Sequence, residues 1–179
     1  MPNFCAYISN HNNRIFKSNG YNEEDNPPPG MVNCSCPKAK MSDCPLSRRC
    51  LEKNLVYQAI VTNESDGSTE SYVGSTSTNF KARYAVHKQS FKNRMQNQTT
   101  LSKHIWDLAD ASKSYSLKFK ILYRAKPYTS KFKQCGLCIK EKTTIITQPE
   151  NATLNKRTEL TAKCLHREKY LLKNVNPGD

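Results

Sequence analysis

The chain has 179 residues, 36% of them hydrophobic, and a formal charge of +13 from 28 lysines and arginines against 15 acidic residues. This length suits one ordinary domain, or one domain with a small appendage. No run approaches the ~20 apolar residues of a membrane span, and no signal-peptide core begins the chain, so we expect a soluble intracellular protein with no membrane contact.

The basic excess indicates a polyanionic partner. The mean hydropathy is −0.77 and the sequence pI is about 9.4, so the core is modest and the surface strongly cationic. We favour nucleic acid over an anionic membrane surface, because no amphipathic lipid-facing helix accompanies the charge.

Composition divides the chain into four segments. Residues 1–33 form a polar leader with three consecutive prolines near its end, which predicts an extended tether. Residues 34–50 are a cysteine-rich linker, residues 51–172 have the pattern of a folded domain, and residues 173–179 are a tail.

Within the folded domain, strand-forming residues predict strands at 55–62, 71–75 and 116–126, the first two joined as a hairpin by a turn with Asp66-Gly67 at its centre. Thr78 is expected to cap a helix that runs to about Phe91. Further helices are predicted at 99–112, 135–147 and 154–172. This order predicts an α/β fold of the α+β type, with a small antiparallel sheet covered by helices.

Four cysteines crowd the linker: Cys34, Cys36, Cys44 and Cys50. With basic and proline-rich filling between them, they predict a small zinc-binding linker in front of the domain. The alternatives are a flexible linker with free thiols, or disulfides formed on oxidation.

A second group predicts another zinc site, inside the domain. Cys135 and Cys138 form a CxxC pair, and Cys164 and His166 supply the remaining corners of a tetrahedral Cys3His site. A lone CxxC is also compatible with a redox pair or with two buried cysteines. We expect such a site to pin the last helix against the core.

The first hairpin and helix bring together residues suited to phosphate chemistry. Tyr57 and Tyr72 fall on the two strands of the hairpin, where both rings can project to one face. Arg83 and His87 follow one helical turn apart, and therefore lie on one side of their helix. Each residue alone is more often structural; together they suggest a site.

Cutting a phosphodiester requires an activated water, stabilisation of charge on the phosphate oxygens and help for the leaving oxygen. The guanidinium of Arg83 matches phosphate oxygens, Tyr57 or a metal-bound water suits the first task, and His87 could relay a proton. Glu141, between two lysines, is either a solvated carboxylate or the single protein ligand of Mg²⁺ or Mn²⁺.

These residues resemble the GIY-YIG nuclease family. Tyr57 of "LVY" matches the first family tripeptide, with Leu55 where the family has glycine, and Tyr72-Val73-Gly74 matches the second. Arg83 and His87 match the family's arginine and the histidine that follows it. Glu141 matches its metal-binding glutamate, and Asn155 matches its final asparagine. The resemblance implies that one divalent ion sits on the glutamate and that the asparagine positions a loop or the DNA backbone.

A longer resemblance covers nearly the whole chain. The stretches "CSCPKAKMSDCPLSRRC", "YVGSTSTNFKARYAVHKQSFKN" and "CGLCIKEK" are similar to the C-terminal region of Penelope-like retroelement polyproteins. In such elements the GIY-YIG domain follows a reverse transcriptase and nicks target DNA, so that the exposed 3′ hydroxyl primes reverse transcription. The resemblance implies a nuclear endonuclease module that acts on double-stranded DNA.

Six lysines are expected to contact DNA phosphates: Lys81, Lys88, Lys118, Lys131, Lys133 and Lys140. Two other classes of protein compete with the endonuclease. A zinc-dependent nucleic-acid-binding module without cleavage activity would explain the charge and the cysteines, but not the presence together of Tyr57, Tyr72, Arg83, His87 and Glu141. A structural protein that docks a partner through its zinc sites would leave the charge unexplained.

Overall fold

A computed structural model describes residues 34, 36, 44–47, 49–96, 98–126 and 135–156. The predicted leader and tail lie outside these ranges, as does the predicted closing helix from residue 157 onward. No helix in the described ranges is both long and apolar enough to cross a bilayer.

The sheet has three antiparallel strands. β1 (Leu55–Asn63) pairs with β2 (Thr69–Thr76) on one side and with β3 (Tyr115–Arg124) on the other, giving the order β2-β1-β3. The central strand is buried almost throughout, as expected for a strand covered on both faces. The predicted hairpin and antiparallel sheet are confirmed.

The turn between β1 and β2 accounts for the glycine in the Asp66-Gly67 pair. Gly67 has φ +72°, a backbone conformation that glycine adopts without the steric cost of a Cβ. The Asn63 side-chain amide donates to Asp66 Oδ2 at 2.7 Å, which closes the loop from its other side.

Three helices and a short 3₁₀ turn complete the described fold, in the order α1 (Phe80–Lys92), α2 (Thr100–Asp110), α3 (Gly136–Thr147) and the turn Pro149–Asn151. The protein is therefore an α+β fold with a small three-stranded antiparallel sheet.

The helices cover the two faces of the sheet. The front face carries Tyr57 and Ala59 of β1, packed against α1, α2 and the cysteine-rich segment. The back face carries Val56 of β1 and Val73 of β2, packed against α3. Burial of these apolar side chains from both sides supplies the core.

Two details of the sequence prediction were wrong. The N-cap of α1 is Asn79, whose side chain accepts from the Ala82 amide at 2.8 Å; Thr78 instead pairs with Thr76. The closing helix does not begin at residue 154, because the Leu154 amide donates to a carbonyl of β2 and the chain there forms a turn.

Candidate active site

Tyr57 lies at the centre of the candidate site. The register of β1 against β3 shifts between Val56 and Tyr57, where Leu122 of β3 has no partner in β1. The Tyr57 ring is fully buried on the front face and makes an edge-on contact with Phe80, at 4.9 Å between ring centroids. Its environment is therefore fixed by the first residue of α1.

Gly74 makes room for the Tyr57 hydroxyl. The two residues are direct partners across the hairpin. A Cβ on Gly74 would lie 2.7 Å from the hydroxyl oxygen and 2.9 Å from a ring carbon of Tyr72. The glycine of the "YVG" tripeptide is thus required by close packing of two tyrosines.

The Tyr57 hydroxyl contacts two polar side chains of α1. Arg83 Nε donates to the hydroxyl oxygen at 3.0 Å, and His87 Nε2 lies 2.7 Å from the same oxygen. Since Arg83 supplies a donor, we assign the phenol proton to the bond with His87, whose Nε2 then accepts it. The predicted cluster of Tyr57, Arg83 and His87 is present.

Burial sets the protonation of this cluster. It raises the pKa of Tyr57 to about 12, although the nearby Arg83 charge acts in the other direction. It lowers the pKa of His87 to about 3, and the Arg83 charge adds to the effect. At neutral pH the pair is a phenol bonded to a neutral imidazole, whose Nε2 accepts the hydrogen bond from the hydroxyl.

Arg83 is half-buried and links the buried hydroxyl to the protein surface. Burial disfavours its charge, but the oxygens of Tyr57, Tyr72 and Glu141 outweigh this, and its pKa is raised. The bond to Tyr57 uses only Nε, so the outer nitrogens of the guanidinium can meet a phosphate.

Glu141 approaches the cluster from α3. Ser75 of β2 donates its hydroxyl to Glu141 Oε2 at 2.9 Å, which fixes the carboxylate at the edge of the sheet. The carboxylate is close enough to contribute to the raised pKa values of both Tyr57 and Arg83. A half-buried carboxylate with one oriented oxygen suits a largely hydrated Mg²⁺ or Mn²⁺ ion.

Asn155 contacts the edge of β2. Its side chain accepts from the Val73 amide at 2.8 Å and donates to the Val73 carbonyl at 2.9 Å, as a neighbouring strand would. Thr153 accepts from the Ser71 amide in the same way, at 2.8 Å. Asn155 therefore secures the strand that carries Tyr72 and Ser75.

Tyr72 is half-buried on β2, and its ring stands edge-on to His87 at 6.2 Å between centroids. Both tyrosines of the hairpin thus lie on one face, as predicted, and both rings contact His87. Their environments differ in burial, because Tyr57 is fully buried whereas Tyr72 is half-buried.

The predicted DNA-binding lysines have different settings. Lys81 and Lys88 of α1 and Lys118 of β3 are exposed, whereas Lys140 is half-buried, with Nζ 3.8 Å from the centroid of the Tyr123 ring. The predicted Lys131 and Lys133 contacts lie outside the described residues.

The cysteine knuckle, formed by Cys34, Cys36, Cys44 and Cys50, could bind zinc. Its four sulfurs all lie within 4.8 Å of one another. The separations of the Cys34–Cys44 and Cys36–Cys50 sulfurs are 3.6 and 3.8 Å, and thiolates about 2.3 Å from a tetrahedral ion are about 3.8 Å apart. The donor set and its geometry therefore fit a structural zinc ion.

The knuckle contacts α1 directly. The first amides of α1 are satisfied by carbonyls at and just after the last knuckle cysteine: Phe80 N–H donates to Glu52 O at 3.0 Å, and Lys81 N–H donates to Cys50 O at 2.6 Å. Three knuckle cysteines also pack in one cluster with Tyr57 and Phe80. The knuckle thus supports the end of α1 from which Arg83 projects.

The second predicted zinc site is described only in part. Cys135 is the N-cap of α3 and Cys138 lies in its first turn; both are 2% exposed and pack in the back-face core. The other predicted ligands, Cys164 and His166, lie outside the described residues, so this site remains a prediction.

Sequence reasoning missed two supporting residues. Ser75 was not singled out, although it follows the "YVG" tripeptide and its side chain orients Glu141. Glu52 accepts from Arg49 at 2.5 Å and from Arg124 at 2.6 Å, which ties the linker to β3. No local pattern marks the contact of Ser75 with Glu141 or of Glu52 with Arg124, because these partners are 66 and 72 residues apart in sequence.

Comparison of the chain with protein-family models, with curated proteins and with solved structures found no match.

Proposed function

We propose that the protein is a metal-dependent DNA endonuclease of the GIY-YIG type that nicks its target. The observation that carries this proposal is the Tyr57 hydroxyl bonded to both Arg83 and His87, with Glu141 close by. Such a cluster combines a proton acceptor, a phosphate ligand and a metal ligand, the three functions that phosphodiester hydrolysis needs.

In the proposed reaction, Arg83 binds a non-bridging oxygen of the scissile phosphate through its outer nitrogens. The attacking water gives a proton to the Tyr57 oxygen while the phenol proton passes to His87, whose lowered pKa the negative charge of the bound phosphate would raise. The new bond from water to phosphorus replaces the bond to the 3′ oxygen, which takes a proton from solvent. The products are a 3′ hydroxyl and a 5′ phosphate.

A divalent ion on Glu141 would supply charge neutralisation at the phosphate and the leaving oxygen. Ser75 holds the carboxylate in place, and Asn155 holds the strand that carries Ser75. The knuckle would bind zinc and support α1 without taking part in the chemistry.

The resemblance to Penelope-like elements supports a specific use for the nick. The 3′ hydroxyl would prime reverse transcription by a polymerase domain expected upstream of this module in the same element. We therefore propose that the module acts in the nucleus on double-stranded target DNA.

Arg83→Ala tests the assignment of roles. We expect cleavage to fall at least ~100-fold, while duplex affinity stays within about threefold because other cations hold the phosphates. Arg94→Ala, which removes an exposed arginine beyond the end of α1, is the matched control and should cut normally. An Arg83→Ala protein that cuts at the parent's rate would remove the basis of the proposal.

The second candidate is a zinc-dependent nucleic-acid-binding module without cleavage activity. Complete burial of Tyr57 favours it, since a water must reach that hydroxyl for the reaction to occur. Under this alternative, Tyr57, Arg83 and His87 form a structural network, and the protein binds duplex DNA without cutting it in the presence of Mg²⁺ or Mn²⁺.

A further inference from the structure

A second cluster of positive charge lies away from Tyr57, in a cleft between the linker and β3. The cleft has a volume of about 270 Å³ and is lined by three cations, Arg49, Lys120 and Arg124. We call these three residues the basic cleft.

Its charge is only partly neutralised. Glu52 pairs with Arg49 and Arg124, so the three cations and one carboxylate leave a net positive charge. Glu52 accepts from Nε of Arg49 and from Nε and one Nη of Arg124, so each guanidinium retains further N–H groups. The side chain of Arg49 is 43% exposed, and Lys120 is also exposed.

The basic cleft lies at the outer edge of β3. Phe119 and Ile121 lie on the front face of the sheet, and Lys120 lies on the back face. Because residues from both faces line the cleft, it extends around the edge of β3. β3 has no strand on its outer side among the described residues. Exposed lysines at such an edge can also serve only to prevent it from pairing with other chains, which is the alternative to a binding role for this cleft.

The basic cleft is adjacent to the candidate active site. Ile121 pairs with Tyr57 across the sheet, and the ring of Phe119 lies 6.2 Å from the rings of both Tyr57 and His87. One aromatic side chain therefore separates the cleft from the proposed proton acceptor. β2 and β3 are about 10 Å apart at a strand spacing of ~4.8 Å, a separation that a duplex backbone can bridge.

We propose that the basic cleft is a second contact for duplex DNA, which holds a backbone phosphate beyond the one being cut. The choice of duplex DNA as the polyanion rests on the proposed function. Two arginines and a lysine around a cleft favour a phosphate backbone, because guanidinium groups match phosphate oxygens with paired hydrogen bonds. This contact would set the position of the duplex relative to Arg83, without reading its sequence.

The test is a double substitution, Arg49→Ala with Lys120→Ala. Arg49 is chosen because Arg124 still pairs with Glu52 after its removal. The control is Lys92→Ala with Lys103→Ala, which removes two exposed lysines from α1 and α2. Binding of a labelled duplex is measured by fluorescence anisotropy in Ca²⁺ over a range of salt concentrations.

We expect the double variant to bind roughly tenfold more weakly, and its salt dependence to fall by about 0.9 in the slope of log K against log salt, as for the loss of one phosphate contact. The control should match the parent. A slope equal to the parent's overturns the inference, as does weakened binding to vesicles of anionic lipid with unchanged binding to DNA.

Failure of the proposed function would look different. A parent that binds duplex DNA through the basic cleft but never cuts it would refute the nuclease and leave the cleft in place. A parent that cuts, with a double variant that binds as tightly as the parent, would refute the cleft and leave the nuclease in place.

Discussion

Replacement of Gly74 by alanine tests the packing at the centre of the site. The added Cβ would lie 2.7 Å from the Tyr57 hydroxyl oxygen, so the phenol must move by about 0.7 Å to reach ordinary contact at 3.4 Å. The ring has little freedom, because it is fully buried against Phe80. We expect a loss of about 2 kcal/mol in the free energy of unfolding, typical of overpacking a core.

The same shift should impair cleavage. Moving the hydroxyl disturbs its bonds to Arg83 and His87, at 3.0 and 2.7 Å, and displacements approaching 1 Å at a reacting group can cost about 100-fold in rate. Urea unfolding followed through the single tryptophan, Trp106, gives the stability, and plasmid nicking gives the rate.

Gly67→Ala is the matched control. Gly67 has φ +72° but nothing within 4 Å of its added Cβ, so alanine costs about 1 kcal/mol through backbone strain alone. Its turn is remote from Tyr57, and cleavage should persist. A Gly74→Ala protein with the parent's stability and nicking rate would refute the packing argument.

Three further predictions follow from the contacts described above. Folded His87 stays neutral down to about pH 3, whereas its unfolded pKa is 6.5, so stability should fall by about 2 kcal/mol between pH 7.5 and 5. His87→Gln should flatten this decline in urea titrations, and an equal decline in the variant would contradict it. Ser75→Ala should raise the Mg²⁺ concentration for half-maximal nicking about tenfold with little change in the maximal rate; an unchanged Mg²⁺ requirement would exclude a role in orienting Glu141. Cys36→Ser should lower bound zinc by one ion per chain and reduce the melting temperature by more than about 5 °C, without removing a catalytic group. Full zinc content in that variant would rule out the knuckle as the site.

Local patterns were enough to predict the elements that carry the site. Alternating residues and an Asp-Gly turn predicted the hairpin, and four-residue spacing predicted that Arg83 and His87 share one side of α1. Both patterns depend only on residues close in sequence, so they predict local structure without knowledge of the tertiary fold.

The long-range contacts could not be predicted in this way. Asn155 completes the edge of β2 from 82 residues away, and Glu52 reaches Arg124 across 72 residues. The choice of Asn79 over Thr78 as the cap depended on how the end of β2 meets α1, because Thr76 engages the Thr78 side chain. Spacing alone carries no information about such pairings.

The cysteine knuckle was also predictable only in its local features. Cysteine spacing predicted four ligands, and their sulfurs do lie within reach of one ion. Its contact with α1 was not predicted, because the bonds run through the backbone carbonyls of Cys50 and Glu52, which any residue type could provide.

Cleavage of supercoiled plasmid by the purified protein with Mg²⁺ or Mn²⁺ tests the central claim most directly. Glu141→Ala is compared under the same conditions, and Glu150→Ala, which removes an exposed carboxylate from the 3₁₀ turn, serves as the control. We predict metal-dependent open circles with the parent and the control, and none with Glu141→Ala. Duplex binding without cleavage by any of the three would contradict the nuclease and favour the binding module.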